Sequence, residues 1–370
     1  MDTIELFCGG GGGILAHAFL LGHTPVAAAE WGDFQQQLIR NRMADGTLPR
    51  MHMWKDVREA SGKGYRGVGC VSGGFPCQDL SAAGGGIGLD GARSGLVWEM
   101  LRVVDEARPR YVFAENSPRL RAKGLNRIVA ALTNLGYARI AWGVISARDV
   151  GAPHIRDRMW LLAKQCNGPA VTSLPVDMPR DGMLVNGAVV KCKPWVRKST
   201  GATMPTLIAK DATNAGNRPD PTLWSLSDIL GITAKARKMG ITLPTLAATD
   251  WKSPYGTAGL LAQLKKRSKP LRDILPFMEG GAKINPEWAE WYMGWCPCWT
   301  DLSILPRVDE WAALVKSGKW WTDAVEADVL PRTLPYSSGV PNLNRRIHCL
   351  GNGQVPLCAA TAFTVLKEAL

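Results

Sequence analysis

From Asp2 to about Lys164 the chain alternates short apolar runs with longer stretches in which apolar residues recur every three or four positions. The short runs predict strands at Thr3–Phe7, Val26–Glu30, Val68–Gly73, Tyr111–Asn116, Ala138–Ile145 and Arg158–Lys164. The periodic stretches predict helices such as Gly95–Arg108 and Leu125–Gly136, the second stopped by a glycine as a helix C-terminus often is. Strands alternating with helices in this way predict a mostly parallel α/β sheet. After Cys166 the texture changes to proline, threonine and tryptophan, and ten of the 15 tryptophans fall between Trp195 and Trp321. That shift predicts a domain boundary. Within the second region, Met204–Gly216 and Leu243–Gly256 form a weak two-copy repeat, too few copies for a solenoid. The tail Val355–Leu370 returns to a helical pattern after a "GNGQ" turn.

Length changes this picture little: 370 residues suffice for one large core and a second, smaller domain. A hydrophobic content of 46% and a charged content of 21% predict a folded soluble chain rather than a disordered one. The net charge of +12 suits a polyanionic partner without identifying one. Nine cysteines is an odd number, no signal-peptide pattern opens the chain, and no uncharged apolar run of membrane-spanning length is expected. The expectation is a cytoplasmic protein with reduced thiols, no membrane association and no obligate protein partner. "CPC" at Cys296–Cys298 lacks a second pair at ligand spacing, so no metal site is expected.

The candidate chemistry sits at the strand ends. The first strand runs into "FCGGGGG" (Phe7–Gly13) and a helix start, where backbone can approach a ligand closely. The loop lacks the Lys-Ser/Thr of a triphosphate-binding loop. Glu30 ends the second strand, where an acidic side chain either bonds ribose hydroxyls or is simply solvated. Cys77, in "GGFPCQ", follows the third predicted strand, and a thiolate at that edge is a candidate nucleophile. Glu115 and Asn116 end the next strand, and a carboxyl group near a nucleophilic thiol can serve as a proton donor. Taken singly, each of these residues is as well explained by structure.

Taken in order, the glycine loop, Glu30–Trp31, Asp56, Pro76–Cys77–Gln78, Glu115–Asn116, "HIRDR" and "GNGQVP" closely resemble the cytosine-C5 DNA methyltransferase family, over about residues 2–164 and 350–370. The resemblance implies a doubly wound, Rossmann-like S-adenosylmethionine-dependent methyltransferase fold with a smaller inserted target-recognition domain. The catalytic domain would span residues 1–165, completed by 341–370, and the recognition domain 166–340. It implies Cys77 as nucleophile at cytosine C6, Glu115 as proton donor at N3, and Arg156 and Arg158 as the basic pair holding the flipped nucleotide. For S-adenosylmethionine it implies Phe7 against the adenine, Gly9 and Gly11 at the amino-acid end, Glu30 on the ribose and Trp31 beside the adenine. Asp56 would face the adenine amino group, with Val57, Pro76 and Leu96 adding wall and Asn352 returning from the C-terminal segment. Double-stranded DNA is the implied partner, and restriction-modification the implied setting.

The chain departs from the family pattern at Glu5 (usually aspartate), Ser117 (usually valine), His154 (usually glutamine) and Gly353 (usually serine), positions that shape the pocket. Ile284–Leu302 resembles a segment of phage and prophage members. Its tryptophans at 288, 291, 295 and 299 predict a core-facing helix and packed loop rather than base stacking. The basic run Lys265–Lys269 is equally consistent with a solvated face and a phosphate contact. An RNA cytosine methyltransferase is a rival within the fold. A nicotinamide-dependent dehydrogenase has no use for Cys77 and Glu115, and a non-enzymatic DNA-binding regulator would be expected to lose one of them.

Overall fold

The computed structural model describes residues 1–76, 95–166, 172–178, 182–191, 285–321 and 339–370. Cys77, both copies of the weak repeat and the basic run 265–269 lie outside these residues, as does most of the expected recognition domain. The chain divides into two compact units: Met1–Val150, Asp157–Cys192 and Gln354–Leu370 form the first, and Gly151–Arg156 with Lys193–Gly353 the second. The last seventeen residues therefore belong with the first 150, while residues 341–353 belong with the second unit.

The first unit is built on an eight-stranded sheet in the order β3-β2-β1-β4-β5-β7-β6-β8. Its strands are β1 (Asp2–Leu6), β2 (Thr24–Ala29), β3 (His52–Trp54), β4 (Cys70–Gly74), β5 (Tyr111–Asn116), β6 (Arg139–Ser146), β7 (Asp157–Lys164) and β8 (Thr172–Pro175). Strands β3, β2, β1, β4 and β5 run parallel, and β7 is antiparallel to both neighbours. The order reverses between β1 and β4, and at such a switch point the crevice outside the strand C-termini takes the ligand.

Alternation along each strand assigns the two faces. Ile4, Leu6, Val71, Val112, Ala114, Met159 and Leu161 face one core with Val97, Met100 and Val104 of the Leu96–Ala107 helix and Ile128 and Leu132 of the Leu125–Asn134 helix. On the opposite face Phe113 stacks on Trp160 at a centroid distance of 5.2 Å, and Phe363 meets Phe113 edge-on. Phe363 comes from the Pro356–Glu368 helix, which packs on β6 and β7. Both faces of a largely parallel sheet are thus covered, as burial of its backbone requires. This is the expected doubly wound fold.

One expectation needs correction. Leu343–Glu368 is long and apolar enough to cross a membrane by length and composition, but 78% of its apolar window is buried. It forms two helices, Leu343–Asn352 and Pro356–Glu368, interrupted at Gly353.

In the second unit the tryptophan segment forms the expected helix and loop. Asn285 caps the helix Pro286–Tyr292 by accepting from the Glu287 amide at 3.0 Å. Trp288, Trp291, Trp295 and Trp299 are all buried, and the Trp291 carbonyl accepts from the indoles of Trp320 and Trp321. The "CPC" turn is tied by Glu290, which is fully buried and accepts from the amides of Cys298 and Thr300 at 2.7 and 2.8 Å. Arg346 of the Leu343–Asn352 helix pairs with Glu290 and Asp301.

Candidate functional site

The strand C-termini bring the candidate residues of the first unit to one edge of the sheet. Strand β1 leads into Phe7 and the glycine loop, β2 into Glu30, β3 into Asp56, β4 into Phe75–Pro76, and β5 ends on Glu115–Asn116. Because β7 is antiparallel, the start of this strand, with Arg158, lies at the same edge.

The glycine loop turns sharply. Phe7, Gly9 and Gly11 have φ of 54°, 55° and 97°, in the left-handed region that glycine enters without steric cost and phenylalanine does not. A Cβ built on Gly9 would meet nothing within 4 Å, so open space lies over this backbone. Glu30 fastens the loop: its Oε2 accepts from the Gly9 amide at 2.8 Å and its Oε1 from the Gly32 amide at 2.7 Å. Burial pushes the Glu30 carboxyl above its ordinary range, while the Gly32 and Gly9 amides and Lys55 pull it back.

Trp31 is 66% exposed beside this loop, and the Lys55 ammonium lies 5.7 Å from its ring centroid. Lys55 also pairs with Asp33, at the start of the helix Asp33–Ala44. Asp56 accepts from Arg58 Nε at 2.9 Å and Nη2 at 2.6 Å, hydrogen bonds that hold its carboxyl below its ordinary range. Arg58 thus occupies the carboxylate expected to face an adenine amino group. Val57 is buried in the core, and Leu96, opening the Leu96–Ala107 helix, packs at its margin.

Glu115 and Arg158 meet as the register dictates. Glu115 pairs across from Trp160, so Arg158, two residues earlier on β7, projects from the same face. Arg158 Nε lies 3.0 Å from Glu115 Oε1. The neighbouring Asn116 is buried, and its Nδ2 donates to the Phe75 carbonyl at 3.0 Å. The strand that ends on Glu115 thereby also fixes the backbone just before Pro76, which is half-buried and directly precedes Cys77.

Two further candidates lie in the second unit. Arg156 belongs to the second unit, where it is buried and its Nη2 donates to the carbonyls of Gly351 and Gly353 at 3.1 and 3.0 Å. It holds the "GNG" turn, while Arg158 is the member of the expected pair that reaches the carboxylate. Asn352 also belongs to the second unit, exposed at the end of its helix, with its amide 3.4 Å from His348 Nε2.

Three of the four departures from the family pattern have defined local settings. A Cβ on Gly353 would lie 2.3 Å from Trp295 Cζ2, so the indole fills the place of a serine side chain. His154 stacks on Tyr292 at a centroid distance of 4.5 Å. Glu5 is buried on β1, where the Thr3 hydroxyl donates to it at 2.6 Å. Desolvation raises the Glu5 carboxyl to about 7, against the opposing pull of Thr3 and Ser72. Sequence reasoning missed Lys55 and the role of Gln354, whose Nε2 donates to Glu115 Oε2 at 3.4 Å. Gln354 lies 239 positions from Glu115, so no local signal links them.

Residues 1–180 match the C-5 cytosine-specific DNA methylase family. The type II methyltransferase M2.BsuMI of Bacillus subtilis is 32% identical over 177 residues, covering 46% of this chain and 43% of the relative. The type II methyltransferase M.CviJI of Paramecium bursaria Chlorella virus IL3A is 30% identical over 163 residues, 44% of this chain and 42% of the relative. The chain thus spans less than half the length of these relatives. Among solved structures, a DNMT2 variant from Spodoptera frugiperda aligns over 99% of both chains with a TM-score of 0.53 at 14% identity. Dnmt2 of S. pombe covers 100% of this chain and 99% of its own with a TM-score of 0.51 at 14% identity. These structural likenesses bear on the fold alone. The match to the C-5 cytosine-specific DNA methylase family thus falls on residues 1–180, which include all eight strands of the sheet.

Proposed function

We propose that this chain is a DNA (cytosine-5-)-methyltransferase that transfers a methyl group from S-adenosylmethionine to C5 of a flipped-out cytosine in duplex DNA, through a covalent bond between Cys77 and C6. The observation that carries this reading is the convergence at one sheet edge of the glycine loop, Glu30, Pro76 and the Glu115–Arg158 pair. The cradle suits a nucleoside with an amino-acid tail. The open backbone at Gly9 admits close approach. Each Glu30 oxygen holds one amide and keeps a lone pair for a hydroxyl. When bound, the donor supplies the sulfonium methyl group that C5 takes up.

The remaining work falls to the chain. Cys77, as thiolate, forms a bond to C6 and shifts the C5–C6 electron pair so that C5 becomes nucleophilic. Glu115 hydrogen-bonds N3 and shares a proton as charge develops there, with Arg158 holding its other oxygen. After methylation, loss of the C5 proton re-forms the double bond and expels the thiolate. A stacked cytosine presents neither C5 nor C6 to these groups, so the base leaves the duplex at a cost of a few kcal/mol. The net charge of +12 favours the polyanionic partner. Residues 193–340 act as the recognition domain, because the nucleophile, proton donor and donor-binding motifs lie outside them, as does the sheet with β8.

Cys77→Ala tests the reading. It should abolish methyl transfer, read by bisulfite sequencing, while donor binding persists. DNA with 5-fluorocytosine at the target should trap the wild-type enzyme covalently, since fluorine cannot leave as a proton does. An equal adduct with the alanine variant would remove Cys77 as nucleophile.

A further inference from the structure

Glu115 is held from two sides, and only one is the expected arginine. Arg158 Nε contacts Oε1 at 3.0 Å, and Gln354 Nε2 donates to Oε2 at 3.4 Å. Gln354 precedes the Pro356–Glu368 helix, so its backbone is anchored by a helix packed on β6 and β7. Its side chain lies in a slot that two glycines leave open. A Cβ built on Gly74 of β4 would stand 2.7 Å from Glu115 Oε2 and 2.9 Å from Gln354 Nε2. A Cβ on Gly13, at the start of the first helix, would stand 2.8 Å from Gln354 Oε1 and 3.7 Å from Glu5 Oε2. All six residues belong to the first unit.

We infer that Gln354 is a positioning residue for the reaction: its amide fixes the Glu115 carboxylate in the orientation that presents it to the cytosine N3 edge, and Gly13 and Gly74 exist without side chains to admit it. This rests on the proposed role of Glu115 as proton donor. A carboxylate gripped at one oxygen by Arg158 can still turn about its last bond, and a second donor on the other oxygen removes that freedom. Such orientation acts on the transition state more than on ground-state binding. The close contacts of both hypothetical Cβ atoms are with the mobile ends of Glu115 and Gln354, so an alanine there displaces those groups and leaves the sheet in place.

The test compares steady-state kinetics of Gln354→Leu, Gln354→Glu, Gly74→Ala and Glu115→Gln with the wild type on duplex DNA. Gln354→Leu should lower kcat about 10-fold, the weak end of the range for a hydrogen bond to a charged group, with KM for S-adenosylmethionine and DNA unchanged. Gly74→Ala should give the same split and guards against a folding defect peculiar to the leucine variant. Gln354→Glu sets a second carboxylate beside the first, and the pair retains a proton to higher pH than one carboxyl alone, so its kcat profile should move to alkaline pH. Wild-type kcat in Gln354→Leu and Gly74→Ala, or a superposable pH profile in Gln354→Glu, overturns the inference when Glu115→Gln is inactive. A fully active Glu115→Gln overturns the proposed role of Glu115 itself, and the inference with it.

Discussion

Glu5 is a carboxyl group sealed into the sheet, and replacing it with glutamine should make the protein less sensitive to alkaline conditions. In the folded chain it ionises near pH 7, because burial penalises its charge, whereas its ordinary value is 4.5. The folded state therefore holds a proton that the unfolded state releases between these two values. Stability is greatest below about 4.5 and declines as pH rises through about 7, the sign for a folded-state value that is raised. At about 1.4 kcal/mol per pH unit, the wild type should lose roughly 2–3 kcal/mol between about pH 5 and about pH 8 from this group alone. His17 and His23 act oppositely. Burial lowers both to about 3, so their contribution is present above their ordinary value of 6.5 and lost as pH falls. His17 Nε2 lies 3.9 Å from Glu5 Oε1, and the two histidines touch through their Nδ1 atoms at 2.9 Å. Cys70 pairs with the neighbouring Thr3 and is itself held protonated by burial. Both proteins carry these groups, so the difference between their urea-unfolding curves isolates Glu5. Glu5→Gln, which copies the protonated shape, should gain roughly 2–3 kcal/mol on the wild type over that pH range. A difference constant within about 0.5 kcal/mol, the usual scatter of such comparisons, would refute the argument.

Glu30→Ala should weaken S-adenosylmethionine binding by roughly 1.5–3 kcal/mol, the range for hydrogen bonds to a charged group, with DNA affinity nearly unchanged; calorimetric titration at wild-type affinity would exclude Glu30 from the pocket. Gly353→Ser forces a side chain into Trp295 and should destabilise the second unit by about 1–3 kcal/mol, read by tryptophan-monitored unfolding; Trp295→Phe in the same chain should recover part of it. Arg346→Met leaves Glu290 and Asp301 without their buried partner and should cost about 3–5 kcal/mol, with the Glu290→Gln double variant less affected. Exchanging residues 193–340 for those of a relative with a different target site should move the methylation site, mapped by bisulfite sequencing; an active chimera that keeps the original site would place specificity elsewhere.

The strands were legible because each is a bounded apolar run with a defined face. Tyr111–Asn116 is predicted to the residue, and the others shift by one or two positions at their ends. Strands β3 and β8 escaped notice because three or four residues carry too short an alternation to register. The helix Asp33–Ala44 was hidden by polarity: Gln36 and Arg42 are buried in it, so its inward face does not read as apolar. The tryptophan pattern gave the correct helix and packed loop because spacing at 288, 291 and 295 follows a helix face. At the candidate site, the motifs mark which residues reach the edge but not what each one touches. Arg156 and Arg158 are two positions apart and look equivalent in "HIRDR", yet one holds carbonyls of a turn and the other a carboxylate. Only pairing across β5 and β7 separates them. Likewise "GNGQ" reads as a turn, and nothing within it announces that Gln354 reaches Glu115.

The first unit is interrupted: Gln354–Leu370 completes it only after the 161 residues of Lys193–Gly353 have been made. During translation the sheet face bearing Phe113 and Trp160 has His17 against it but lacks Phe363 until this last segment is made. A chain that stops before this helix leaves apolar surface of the sheet uncovered, the kind of surface that makes folding intermediates prone to aggregate. Synthesis order thereby links the two units: the sheet of the first cannot be completed before residues 193–353 have been made.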